Sequence, residues 1–362
     1  MSGRKPEKPF SRKILPPVIG ISADPRGLET NAAEINLDYL LRAPSGRAVS
    51  KIEVRVDGRL FATETGETFL KPSAKSPRSL KVPLPKRDAE VSVVAFHGDQ
   101  AGEPSRIKVR YTGAPAPTAK TTLRALLVGV SAYNNKDLTL NYADNDASDL
   151  ARVLKEQEGR FFRSVETTVL LDGNANEANI EAALADLAAK TGPDDYAVVF
   201  LAGRGLTEKN RFYFVPADVN VADGKLADDK TAVSETVILK ALSSMRGKVL
   251  FFIDACFSAG VINVDSTGFV NAITSEENAV MIYSSSHGDE VSLEDPEWEN
   301  GAFTEALMQI FADPKSYNTN GEINTDELAR KLKERVRALT KNQQTPVGQS
   351  SRAITPFPVM GL

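Results

Sequence analysis

The chain has 362 residues, 41% hydrophobic and 25% charged, which excludes a disordered, collagenous or coiled-coil protein and predicts two or three domains. A single cysteine, Cys256, excludes an intrachain disulfide or a multi-cysteine zinc site, and with only His97 and His287 as histidines no metal and no cofactor is expected. The net charge of −4 is unevenly spread: Met1–Gly113 carries 20 Lys/Arg and 13 Asp/Glu, the remainder 24 and 35.

In chain order, residues 1–17 form a basic, proline-rich segment with no apolar h-region. That predicts no secretory signal and a reduced, cytoplasmic protein. From Val18 to Gly113 apolar and polar residues alternate and turn signals recur. Ala33–Ala43 alternates, and Ile52–Val56 and Arg59–Thr63 flank Asp57-Gly58, a strong hairpin signal. Ser79–Pro85, Ala89–Gly98 and Ser105–Thr112 are further strand candidates. This density of short strands predicts an all-β, immunoglobulin-like sandwich at 18–113. It lacks a Cys…Trp…Cys hallmark and carries nothing catalytic, so a spacer, docking or recognition role is expected. His97 is read as a surface residue at a strand end. The basic half has no aromatic-rich RNA-binding signature, so no nucleic-acid partner is expected. The acidic half favours basic partners or is simply solvated.

Residues 114–120 (APAPTAK) read as a semi-rigid linker. Beyond it the pattern alternates strand and helix. Leu123–Ser131, Glu166–Leu171, Tyr196–Ala202, Gly247–Asp254 and Ala279–Ser285 read as strands. Ala143–Glu158, Asn176–Lys190, Ser234–Met245, Gly301–Phe311 and Thr325–Leu339 read as helices. Such alternation predicts a mostly parallel sheet flanked by helices over 121–347, followed by a C-terminal tail at 348–362. No run of about 18 apolar residues occurs, so no membrane span is expected. Ser316–Glu327 loosely fits a calcium loop, but Ser316, Asn318 and Asn320 supply no carboxylate. A turn leading into a helix capped at Asn324, with Glu327 closing a capping box, is the expected alternative.

Ligands of such sheets bind beyond the carboxyl ends of the strands. The third strand leads into Leu201-Ala202-Gly203-Arg204-Gly205-Leu206, the fourth into Asp254-Ala255-Cys256-Phe257-Ser258-Ala259-Gly260. Small residues around Arg204 and Cys256 permit close approach of a substrate, and a lone cysteine just past a buried strand has an exposed thiol. The alternative for such a cysteine is inert packing.

On these residues the segment from about Leu123 to Val347 resembles the caspase-like cysteine peptidases, and more closely their bacterial metacaspase-like branch. That family ends its third strand in His-Gly and its fourth in Asp-Ala-Cys-x-Ser, roughly 50 residues apart. Here positions 204 and 256 are 52 apart. Asn141–Asp146, Arg211–Val219, Ser284–Asp295 and Asn300–Leu307 also look like the family, and the β-module resembles one that precedes caspase-like domains in some bacterial proteins. The resemblance implies Cys256 as nucleophile, with the amides of Gly205 and Cys256 stabilising the oxyanion. It implies Asp254 and Asp146 as acids that hold a basic P1 side chain, and it places Ser284, Ser285 and His287 on the rim of the substrate cleft. The partner it implies is a protein or peptide with Arg or Lys at P1. For Asp146 a helix N-terminal charge, and for Asp254 a strand-end cap, are the plain alternatives.

The departure is Arg204, at the family's catalytic-histidine position. A guanidinium neither accepts the thiol proton nor readily protonates a leaving amine at pH 7. It can lower the thiol pKa, or it can pair with Asp254 and plug the pocket. His287 is the one candidate substitute base. Three readings follow: a proteolytically impaired caspase-like domain that binds a partner, an active or inactivated Arg/Lys-specific cysteine endopeptidase, and a non-catalytic scaffold acting through the β-sandwich.

Overall fold

A computed structural model divides the chain into two units, Met1–Ala116 and Pro117–Leu362. It describes residues 15–24, 26–65, 73–85, 88–98, 100–113, 121–208, 211–219, 221–222, 225–226, 231–256, 280–286, 290–350 and 356–362. Of residues 59, 73–76, 221, 222, 225 and 256 it describes the backbone alone.

The first unit is all β. Along Glu34–Arg42 the side chains of Ile35, Leu37, Tyr39 and Leu41 are buried while their polar neighbours are not, the period of two that a half-buried strand requires. This strand lies between Val18–Ile21 and Ser73–Pro83 in a three-stranded sheet. A second sheet runs Leu28–Thr30, Ser105–Tyr111, Ala89–His97, Lys51–Val56, Arg59–Thr65. Ile52, Val54, Val91, Val93, Ile107 and Val109 from this sheet share one core with the inward residues of the first. The Asp57-Gly58 turn forms as read: both residues have positive φ, 51° and 79°, the mirror-image turn that matches strand twist. His97 closes its strand, its Nδ1 donating to the carbonyl of Ala48 at 2.8 Å.

The second unit is built on one sheet in the order Ser164–Leu171, Thr122–Gly129, Tyr196–Glu208, Lys248–Cys256, Val280–Ser284, Val347–Ser350. The first five strands are parallel and the last is antiparallel. Each central strand is buried on both faces. In Lys248–Cys256, Val249, Phe251 and Ile253 pack toward the Glu177–Lys190 and Glu235–Ser244 helices. Leu250 and Phe252 pack toward the Ala143–Lys155, Ala302–Ala312 and Thr325–Leu339 helices. The continuous apolar run read from the sequence is the signature of that double burial.

Four expectations differ from the structure. The third strand does not stop at Ala202 but continues to Glu208, because Arg211–Val215 folds back antiparallel and supplies hydrogen-bond partners for 204–208. The fourth strand likewise runs on to Cys256, so both positions read as loops lie in the sheet. Residues after 348 are not a plain tail: Val347–Ser350 is the sheet's last strand, and Pro358–Gly361 pairs with Glu322–Asn324. That pairing accounts for the capping-box residues too, since Asn324 ends a short strand and its side chain caps nothing.

Phe252 is the centre of the helix-lined face. Its ring stacks on Tyr283 at 4.8 Å and 12°, and it is buried. Truncation to alanine leaves a cavity, so Phe252→Ala is expected to cost the second unit about 3–5 kcal/mol. Urea unfolding followed through Trp298, the single tryptophan and a residue of this unit, measures it. A loss below about 1 kcal/mol would show that the site relaxes around the missing ring.

Candidate active site

Two adjacent strands bring the singled-out residues together. Parallel pairing sets Ala202 against Asp254, Gly203 against Ala255 and Arg204 against Cys256. Gly203 is required here. Its φ is +154°, and a Cβ would lie 2.8 Å from the Tyr133 hydroxyl and 3.1 Å from the Phe214 ring. Gly205 follows in the same strand, opposite Phe214 and buried. The Cys256 backbone ends its strand in register with Arg204, while its side chain and all of His287 lie outside the described residues.

The Arg204 side chain is held by the loop that follows the Thr122–Gly129 strand. Its Nε donates to the Leu138 carbonyl at 3.0 Å and its Nη2 to the Thr139 carbonyl at 3.3 Å. Its backbone N–H donates to the Tyr133 hydroxyl at 2.7 Å. That loop is itself tied down. Asp172 accepts from the Ser131 and Ala132 amides at 2.9 and 2.8 Å. The Ser131 hydroxyl donates to Asp144 at 2.6 Å, and Asn135 caps the short turn ending in buried Leu138. Among the described residues no ion pair joins Arg204 to Asp254, and its Nε and Nη2 go to the two carbonyls.

The acids form a separate cluster. Asp146 lies in the first turn of the Ala143–Lys155 helix and Asp254 at the end of its strand, with exposures of 3% and 5%. Asp146 Oδ1 accepts the Gly301 amide at 2.9 Å. A Cβ at Gly301 would stand 3.0 Å from Asp254 Oδ2 and 3.1 Å from Asp146 Oδ2, so glycine leaves open the space that both oxygens face. Asp254 Oδ2, Asn300 Oδ1 and Ser286 Oγ are buried and find no hydrogen-bond partner among the described residues, and the Thr304 hydroxyl stands beside both carboxyls. Ser285 and Ser292 join their hydroxyls at 2.6 Å beside Asp254, and the Ser284 hydroxyl donates to the Ser286 carbonyl at 3.1 Å. Glu294 stands nearby, accepting from the side-chain amide of Asn141 at 2.9 Å. Gln344, wholly buried, accepts from the Leu293 amide and donates to the Ser285 carbonyl, both at 2.8 Å, and so ties the two loops of the cluster together.

Burial pushes Asp254 up to about 6, against the opposing effect of the Ser285 and Ser292 hydroxyls. Burial, and then the charge of Asp254, raises Asp146 well above the ordinary carboxylate range. Two buried carboxyls this close resist joint ionisation, so a cation entering between them is favoured. A hydrogen-bond-rich cation such as a guanidinium or an ammonium also supplies donors for the unpartnered oxygens. No group of three or more His, Cys, Asp or Glu arranged to hold a metal occurs among the described residues.

Sequence reading singled out Arg204, Cys256, Gly205, His287, Asp146, Asp254, Ser284 and Ser285; of these the structure sets Arg204 in register with Cys256 and groups Asp146 with Asp254 and Ser285. That reading missed Tyr133, Ser292, Gly301, Glu294 and Gln344, and the two carbonyls that hold Arg204. Only Gly301 carried a local signal, a glycine directly before an apolar helix. The others act through contacts between distant segments.

The acid pair has a measurable cost. A carboxyl raised on folding binds more protons than the unfolded chain between the usual carboxylate range and about 6, so its contribution to stability falls as pH rises through that window. Asp254→Asn removes the charge and keeps the shape. Its stability advantage over the parent is expected to be small at pH 4 and to reach about 3 kcal/mol by pH 8. Urea unfolding across this pH range checks it, and a variant weaker than the parent at pH 8 would mean that a bound partner neutralises the pair.

A family model described as the caspase domain matches residues 122–358. Comparison with curated proteins gives no match. Among solved structures, protein GSU0716 from Geobacter sulfurreducens is similar at 18% identity and a TM-score of 0.48, over 65% of this chain and 95% of that one. Caspase-1 from Spodoptera frugiperda is similar at 15% identity and a TM-score of 0.46, over 66% and 94%. The Drosophila initiator caspase Dronc is similar at 9% identity and a TM-score of 0.46, over 66% and 84%. The matched family segment is well over half of the chain and contains the strands, loop and acid cluster just described, and the chain therefore belongs to the caspase-domain family of peptidases.

Proposed function

We propose that this is a proteolytically impaired caspase-domain protein, of the bacterial metacaspase-like type, that binds a protein or peptide carrying Arg or Lys at P1. The observation that carries this reading is the register pair Arg204–Cys256, with the arginine donating to the Leu138 and Thr139 carbonyls. Arg204 takes the place of the family's histidine. Peptide hydrolysis by a thiol needs a base to take its proton and an acid to return one to the leaving amine. A guanidinium with its pKa above 12 supplies neither at pH 7. Its positive charge beside position 256 favours the thiolate, which helps attack but leaves the amine unprotonated.

The binding half of the site remains suited to its task. The Asp146 and Asp254 carboxyls receive the basic P1 side chain, while Ser284 and Ser285 line the rim beside it. The Gly205 and Cys256 amides are the oxyanion donors. The all-β first unit serves as an immunoglobulin-like recognition module.

A second reading, an Arg/Lys-specific endopeptidase disabled only at position 204, is favoured by one specific feature. The Leu138 carbonyl, which accepts from Arg204 Nε, is at a reach where it can accept the single N–H of a neutral imidazole at 204 and so select its tautomer. Arg204→His is therefore expected to raise cleavage of fluorogenic Arg and Lys peptides by about 10²-fold or more over the parent, with Asp peptides uncut. Adding Cys256→Ala should abolish the gain. Cleavage by the unaltered chain that is lost in His287→Ala would overturn the impaired reading and make His287 the base. If no variant cleaves and an arginyl peptide aldehyde fails to bind, the cleft has no peptide role and the β-module is the functional part.

A further inference from the structure

The last helix of the caspase domain, Thr325–Leu339, has two faces of opposite character. Leu328, Leu332 and Val336, spaced by four, are buried in the core. On the solvent side Arg330, Lys333, Arg337 and, just beyond the helix, Lys341 are exposed. With Lys331 and Arg335, the stretch from Arg330 to Lys341 carries six cations against one acid, Glu334. That acid is already engaged by Arg330 at 2.7 Å. Arg337 is held in place by its Nε, which donates to Asn342 Oδ1 at 3.0 Å. The row, with Glu334, Ala338 and Asn342, lines an open trough of about 510 Å³. None of these residues belongs to the acid cluster or to the loop that holds Arg204.

Ordinary helix electrostatics does not explain the row. Cations are favoured at a helix C-terminus, but the effect is confined to the last turn, and this row begins at Arg330, more than two turns before the helix end. The surroundings have the opposite sign as well. Residues 114–362 carry 35 Asp/Glu against 24 Lys/Arg, so the stripe is a local reversal in an acidic unit.

We propose that this face docks an acidic peptide segment of a partner protein, bound extended with carboxylates at alternate positions. The spacing fits. Lys333 and Arg337 are separated by four residues, a rise of about 6 Å along the helix axis, and Lys341 follows just past the helix end, at a positive φ of 52°. Alternate side chains of an extended chain repeat every 6.4–6.8 Å or so on one side. Two carboxylates at positions i and i+2 therefore meet Lys333 and Arg337, each pair held by charge-assisted hydrogen bonds, and Lys341 at the end of the row receives a further acid. A nucleic-acid duplex is the less fitting anion. It needs many phosphate contacts for affinity, this row offers four, and the acidic unit around it repels a long polyanion.

The experiment uses the full chain and fluorescence anisotropy. The probe is a labelled peptide with Glu at alternate positions and Ser between, and a Lys/Ser peptide is its control. The charge reversal Lys333→Glu with Arg337→Glu is compared with Arg47→Glu with Arg106→Glu in the first unit, each checked by thermal melting for an intact fold. The Glu peptide should bind at low salt, weaken as salt rises, and lose at least about tenfold in affinity in the first double variant alone. Equal binding to all three proteins overturns the proposal, as does an effect confined to the first-unit variant. Displacement of the peptide by an RNA duplex at lower concentration overturns it in favour of nucleic acid. Self-association of the chain that disappears with Lys333→Glu and Arg337→Glu overturns it in favour of a second copy as the occupant. Because none of these substitutions touches Arg204, Cys256, Asp146 or Asp254, the outcome does not depend on the reading of the cleft.

Discussion

The pairing of Tyr196–Glu208 with Lys248–Cys256 is the constraint on which the rest depends. Nine consecutive residues on each strand are in register, from Tyr196 with Lys248 to Arg204 with Cys256. Because successive side chains face opposite sides, a slip of one residue would send Phe252 and Leu250 to the wrong helical layer and bring Asp254 out of its cluster. The hydrophobic sorting of the two faces therefore fixes the register at the lower end of the strands. That register in turn places residues 204 and 256 side by side at the upper end, where chemistry is possible. Core packing, rather than any interaction within the site, sets the geometry of the site. Gly203 shows the same dependence at closer range, since the strand can pass Tyr133 and Phe214 only without a side chain there.

The acid cluster costs free energy and the fold keeps it in place. Asp146 and Asp254 are buried side by side, with Glu294 near enough to raise both. A core would be more stable with apolar residues at these points, since unpaired buried charge is among the most destabilising features a fold can contain. The surrounding residues hold the acids in place without neutralising them. Gly301 offers an amide to one carboxyl and leaves room between the two, and Gln344 fixes the serine loops. Perturbed carboxyls of this kind concentrate at functional sites.

Much of this architecture was legible in the residues. The apolar run Leu123–Ser131, the alanine-spaced helix after Ala143 and the Asp57-Gly58 turn are local patterns, and local patterns survive into the fold. The ends of the two central strands were not legible. Gly203-Arg204-Gly205 reads as a loop because glycine and arginine do not make a strand on their own; the returning Arg211–Val215 segment makes it one. The C-terminal residues read as a tail because nothing in 348–362 announces that Val280–Ser284 and Glu322–Asn324 have open edges waiting for partners. The carbonyls that hold Arg204 could not be found from any side-chain pattern, since a backbone carbonyl has no residue type.

Those carbonyls bear most directly on what Arg204 does. A partly buried guanidinium is expensive unless its donors are used, and here two of them are satisfied by main-chain oxygens of a loop pinned by Asp172, Asp144 and Asn135. The arginine is thus well accommodated at its position. Its charge is held by that loop beside the strand that ends in Cys256. Because its Nε and Nη2 donate to main-chain carbonyls, the direction of the guanidinium is set by the loop, and the contacts of Asp172, Asp144 and Asn135 that pin the loop decide where this charge stands beside the cysteine strand.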